Sequence, residues 1–118
     1  MRIRKAFVIS VNAGAEREYE QRHNPIRAEL EKTLKDHRAS NYSIFLHPET
    51  RQLFGYVEIE SEEQWPPIAA TEICRKWWKY MGEIMPSNPE NSLQSLLLRE
   101  VFHLMLFLLC ATATMALL

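Results

Sequence analysis

Glycine is scarce in this chain, with three in 118 residues. No GxGxxG or Walker-type loop can be assembled from them, which excludes the nucleotide-binding classes built on Gly-rich phosphate cradles. Cysteine is scarcer still. Cys74 and Cys110 are too few for a disulfide framework and form no CxxC pair, so a reduced, cytoplasmic setting is expected. Neither sign of charge dominates: 14 Lys and Arg against 15 Asp and Glu give a net charge of −1. Nothing in that balance draws the chain to nucleic acid or an anionic membrane. The histidines at 23, 37, 47 and 103 are scattered, without the spacing of a metal site. The basic start, Met1-Arg2-Ile3-Arg4-Lys5, is followed by an apolar run that stops at Asn12, so no secretory signal is expected. No repeat of solenoid or propeller period is present.

What is present is enough for one domain with one modest core. Residues 6–11 (AFVISV) are β-branched and aromatic, apolar on both faces, and predict a central strand. Residues 16–37 predict a helix broken at Asn24-Pro25, with Asn24 as N-cap and Pro25 in the first turn of a fresh helix. In its second half Ile26, Leu30, Thr33, Leu34 and His37 share a face, and Glu31 and Lys35 make a surface i,i+4 pair. Residues 42–46 (YSIFL) and 53–60 (LFGYVEIE) predict two strands joined by a hairpin. In the second of them, polar Tyr56, Glu58 and Glu60 alternate with Val57 and Ile59. Ser61-Glu62-Glu63-Gln64 has the form of a capping box, opening a helix that Pro66-Pro67 would soon break. Thr71 restarts a helix that ends before Pro86, residues 87–92 form a polar loop, and 96–104 predict a fourth strand. The order is βαββαβ, the ferredoxin-like α+β plan. Its helices cover one sheet face only, and a second copy of the chain is the simplest cover for the other.

The chemistry concentrates at Tyr19 and His23. Four residues apart on a helix, they lie one above the other, and an imidazole near neutral pKa can both give and take a proton. An amphipathic helix could equally carry such a pair half-buried for packing. Trp77 and Trp78 are adjacent, about 100° apart on a helix, so they cannot both face one core and at least one faces a cavity or a partner subunit. A sugar ring offers a C–H face to such an indole, and a tryptophan of this kind can also be plain core or interface. Tyr42, taken alone, is a packing tyrosine that could offer its hydroxyl. Cys74 reads as a small buried hydrophobe. Lys76, Lys79 and Tyr80 read as helix surface or pocket rim, and His37 and His47 as solvent-facing.

Assembled, these pieces resemble a known family. RKAFVISVN at 4–12, EYEQRHNPI at 18–26, LEKTLKDH at 30–37, NYSIFL at 41–46, VEIESEEQW at 57–65, CRKWWKYM at 74–81, MPSNPENS at 85–92 and EVFHL at 100–104 are similar to L-rhamnose mutarotases. The specific signature is Tyr-x-x-x-His-Asn-Pro followed at this distance by Trp-Trp-Lys-Tyr-Met. The resemblance implies a dimeric α+β barrel made by two sheets packed face to face, with no cofactor. It implies interconversion of the α and β anomers of L-rhamnose, with His23 as general acid/base and sugar contacts from Tyr19, Tyr42, Trp77 and Trp78. Arg27-Ala28 stands where Trp-Pro is expected, at a position not expected to touch the sugar. Two other readings keep much of this pattern: a cofactorless oxygenase on the same barrel, and a non-catalytic sugar-binding module.

Residues 1–104 therefore form the expected enzyme domain, and 105–118 an apolar tail. The stretch from Val101 onward is long enough to approach a thin hydrocarbon core. Thr112 and Thr114 weaken its second half and no basic or aromatic anchor flanks it, so an appended segment is expected rather than a membrane span.

Overall fold

A computed structural model describes residues 2–104; the tail at 105–118 lies outside them. Strand β1 (Ile3–Ser10) leads into helices α1 (Glu16–Arg22) and α2 (Ala28–Asp36). Strands β2 (Ser40–His47) and β3 (Gln52–Ile59) follow, then a 3₁₀ turn at Pro66–Ala70, helix α3 (Glu72–Met81) and a short β4 (Leu96–Leu98). The sheet is antiparallel with order β2-β3-β1-β4, so the expected ferredoxin-like topology is present.

Alternation along β3 builds the core. Leu53, Gly55, Val57 and Ile59 are buried, while Gln52, Phe54, Tyr56 and Glu58 turn the other way. Leu53 pairs with Ile9, Gly55 with Phe7 and Val57 with Lys5, which places these partners on the same, helix-covered face. Ile9, Leu53, Leu30, Trp77, Met81 and Met85 form the heart of the core there. At Gly55 a Cβ would overlap the Phe7 ring, which lies directly against the backbone, so a side chain there would force that ring to shift.

Glycine scarcity has a visible consequence. Positive φ angles fall on Arg38, Asn41, Arg51 and Asn91, positions where glycine would carry no steric cost. At Arg38 the reason is explicit. Arg38 N–H donates to Lys35 O and Ala39 N–H to Leu34 O, the paired bonds that close a helix C-terminus in a Schellman turn.

Four local expectations are corrected. Asn24 does not cap a new helix. Its backbone N–H donates to Gln21 O and its side-chain amide to Glu20 O, so it finishes α1, and α2 begins only at Ala28. Ser61-Glu62-Glu63-Gln64 forms a turn rather than a helix, closed by Gln64 N–H on Ser61 O. The consecutive prolines admit a 3₁₀ turn, with Pro at its start, where no N–H is needed. The last strand spans Leu96–Leu98 rather than 96–104, because its pairing with β1 is confined to Ala6, Phe7 and Val8. His37 is half-buried, with Nδ1 2.8 Å from Thr33 O, whereas His47 is exposed as expected. Thr71 does restart a helix: its hydroxyl accepts from Cys74 N–H and donates to Ile68 O.

Candidate active site

Helix α1 is two turns long and presents Tyr19 to the core, where only 7% of the residue is exposed. His23 closes the helix one turn later. The two rings lie 4.3 Å apart between centroids, tilted by 31°, so the stacking expected from the i,i+4 spacing is realised. His23 Nδ1 sits 2.8 Å from Tyr19 O. A carbonyl can only accept, so Nδ1 carries the hydrogen. In the neutral ring the lone pair then resides on Nε2. Burial pushes the His23 pKa below its ordinary value, against the opposing pull of that hydrogen bond. Burial drives the Tyr19 phenol upward, with a further push from Tyr42, so it stays protonated and available as a donor.

Helix α3 supplies the next wall. Trp77 is 7% exposed and Trp78 half-buried, and both line the same cavity as His23. The angular separation of neighbours on a helix sends Trp77 into the core cluster and leaves Trp78 packed at its edge.

Tyr42 comes from the sheet. Between Ser40 and Ser43 strand β2 carries one residue more than β3 opposite it, and Asn41 there has φ of 49°. Such a bulge re-aims the side chain beside it. The Tyr42 ring meets Phe7 edge-on at 6.1 Å and Trp65 at 6.5 Å. Desolvation raises its pKa, so this phenol is also neutral.

Tyr19, His23, Tyr42, Trp77 and Trp78 thus surround one cavity of about 1030 Å³ between helices and sheet, at the large end of the usual range for small-molecule sites. The cavity wall also includes Phe7, Trp65, Lys5 and Glu16, which motif reasoning left out. Phe7 was legible as apolar strand but not as wall, because only Gly55 opposite it lets its ring lie flat. Lys5 Nζ pairs with Glu62 at 2.8 Å. Glu16 shares the face of Tyr19 and His23 at helical spacing. Its Oε1 is buried and finds no partner among the described residues. Cys74 is buried with its thiol pKa pushed up to about 11, which makes it a packing group rather than a nucleophile. Lys76 is an exposed partner of Glu72 and Lys79 is exposed. Tyr80 lies outside the cavity wall, its ring 4.3 Å from the Arg27 guanidinium. Among the described residues no three His, Cys, Asp or Glu side chains gather as a metal site requires, and no helix is long and apolar enough to cross a membrane.

Comparison with known proteins agrees with this arrangement. The family model for L-rhamnose mutarotase matches residues 4–104. An L-rhamnose mutarotase of Opitutus terrae is 68% identical over 102 residues, covering 86% of this chain and 98% of that protein. One from Klebsiella pneumoniae is 59% identical with the same coverage. Among solved structures, the L-rhamnose mutarotase of Formosa agariphila superposes with a TM-score of 0.79 at 39% identity, over 87% of this chain and 99% of that one. A putative antibiotic biosynthesis monooxygenase from Nitrosomonas europaea superposes with a TM-score of 0.60 at 8% identity, over 86% of this chain and 91% of that one; that likeness extends to the fold alone. With a family match running from Arg4 to Leu104 and Tyr19, His23, Tyr42, Trp77 and Trp78 gathered around one cavity, the chain belongs to the L-rhamnose mutarotase family.

Proposed function

We propose that this protein interconverts the α and β anomers of L-rhamnose, with His23 as the general acid/base. The observation that carries the assignment of His23 is its geometry. It is a half-buried imidazole on the wall of the cavity, its Nδ1–H fixed on Tyr19 O and its Nε2 without a hydrogen-bond partner among the described residues. The lowered pKa keeps the ring neutral at pH 7 and ready as a base.

Mutarotation needs little more. Nε2 takes the proton of the anomeric hydroxyl as the bond from the anomeric carbon to the ring oxygen breaks, and the imidazolium so formed returns a proton, directly or through water, to the ring oxygen. The open aldehyde turns and recloses on its other face, with the proton movements reversed. The uncatalysed reaction already runs in water, so roughly 10²–10⁴-fold from one positioned acid/base, with a further gain from holding the sugar, is adequate. Trp77 and Trp78 offer aromatic planes to the C–H face of the pyranose, and the neutral phenols of Tyr19 and Tyr42 offer hydroxyls to its edge. The apolar surface of Phe7 and Ile44 on the same wall matches the methyl group that L-rhamnose carries in place of a hydroxymethyl.

The active unit is a homodimer in the cytoplasm. Its support is the sheet face away from the helices, where Val8, Phe45, Phe54, Leu96 and Leu98 stand together by register. Phe45 is 67% and Leu96 63% exposed, an apolar surface that a monomer would leave in water. Saturation-transfer NMR on the L-rhamnose anomers tests the chemistry. Wild type should accelerate exchange, and His23→Ala should return it to the buffer rate while the fold persists. A His23→Ala protein exchanging at the wild-type rate would overturn the assignment.

A further inference from the structure

Arg22 precedes the acid/base directly, yet its side chain turns away from the cavity and toward the end of α3. Only 10% of that side chain is exposed. All three of its nitrogens are engaged. Nε donates to Glu18 at 2.9 Å, Nη1 to the backbone carbonyl of Tyr80 at 2.7 Å, and Nη2 to Glu83 at 3.1 Å. The flat face of the guanidinium lies 3.8 Å from the centroid of the Tyr80 ring. Tyr80 is the second-last residue of α3, so its carbonyl belongs to the electronegative end of that helix, where a cation is favoured.

We propose that Arg22 is the positioning residue of this site: it ties the last turn of α1 to the last turn of α3, and so sets His23 against Trp77. Arg22 lies three residues after Tyr19 and one before His23, and the carbonyl it holds lies three residues after Trp77. Both aromatic walls and the base are therefore within one helical turn of the clamp. Helix α1, with seven residues, is too short to be stable on its own, and the Asn24-Pro25 link that joins it to α2 is exposed. A guanidinium that satisfies three acceptors in a fixed fork and stacks on a ring fixes both separation and rotation. An ammonium, a point charge on a flexible stem, fixes neither. Misplacement of a base by about 1 Å costs on the order of 10²-fold in rate.

The inference rests on His23 being the acid/base, and the test separates the two. Wild type, His23→Ala, Arg22→Lys and Glu18→Gln/Glu83→Gln are compared by saturation-transfer NMR across L-rhamnose concentrations. The His23 ring proton is titrated by NMR in all but His23→Ala, and folding is followed by near-ultraviolet circular dichroism. Arg22→Lys should stay folded and lose about 10- to 100-fold in kcat with KM changed less than about threefold. Its His23 pKa should rise toward 6.5 as the loosened ring gains water. The double variant keeps Arg22 but removes its charged partners, and should show the same two changes in smaller measure. It serves as the deciding variant if Arg22→Lys does not fold. A folded variant with kcat within about twofold of wild type, or one that loses kcat while His23 titrates as in wild type, overturns the clamp. If His23→Ala instead keeps wild-type exchange, the acid/base assignment falls, and the His23 titration still reports whether Arg22 holds the ring.

Discussion

The imidazole of His23 meets the indole of Trp77 edge to face, with centroids 5.2 Å apart and planes at 90°. One ring closes α1 and the other projects from the middle of α3. The contact makes one wall from two helices, so a sugar stacked on aromatic surface there is within reach of a base. Aromatic pairs of this geometry contribute roughly 0.5–1.5 kcal/mol beyond their buried area.

Replacement of the tryptophans should separate packing from recognition. Trp77 is buried in the core cluster, so Trp77→Ala should cost about 3–5 kcal/mol of stability as well as sugar affinity. Trp78 is packed only at the core edge, so Trp78→Ala should lose L-rhamnose affinity with a smaller stability loss. Denaturant unfolding and NMR titration with L-rhamnose check both. An unchanged affinity in both variants would refute stacking on the indoles.

The depressed pKa of His23 fixes the sign of a pH effect. The unfolded chain, with histidine near 6.5, binds a proton there that the native state refuses, so stability rises with pH across that interval. On acidification, stability falls as pH drops through 6.5 toward the lower native value, and this contribution is constant below it. Activity should be level above pH 6.5 and fall on the acid side. Between pH 7.5 and 5.5 wild type should lose more in Tm than His23→Gln, which has no such group. Equal losses would mean that His23 does not titrate low.

Gly55 carries a steric prediction. A Cβ there would overlap the Phe7 ring, and Phe7 in turn braces Tyr42. Gly55→Ala should destabilise by about 1–3 kcal/mol, the usual cost of overpacking. It should also weaken L-rhamnose binding by displacing that wall. Thermal unfolding and sugar titration would detect both, and a neutral substitution would show that the ring moves freely.

Assembly is tested at the uncovered sheet face. Wild type should sediment as a dimer at micromolar concentration. Phe45→Glu, placed where Phe45 pairs with Phe54, should sediment as a monomer with its secondary structure intact. A monomeric wild type would remove the argument from the apolar face.

The sequence by itself determined what depends on neighbours a few residues apart. Alternation wrote the buried face of β3, the Thr71 hydroxyl wrote the start of α3, and i,i+4 spacing stacked Tyr19 on His23. These are legible because the interacting groups are fixed by local geometry. The family resemblance also named five residues that the structure brings to one cavity. Tertiary structure alone decided the rest. Asn24 closes α1 rather than opening α2, because the carbonyls of Glu20 and Gln21 await donors, a choice that residue preference cannot make. The bulge that aims Tyr42 exists only in register with β3, and Phe7 becomes a wall only because Gly55 lies opposite it. Arg22 looks in the sequence like one more charge on a solvated helix. Its partner carbonyl is 58 residues away, and no local pattern records which distant acceptor a long side chain will find once the helices pack.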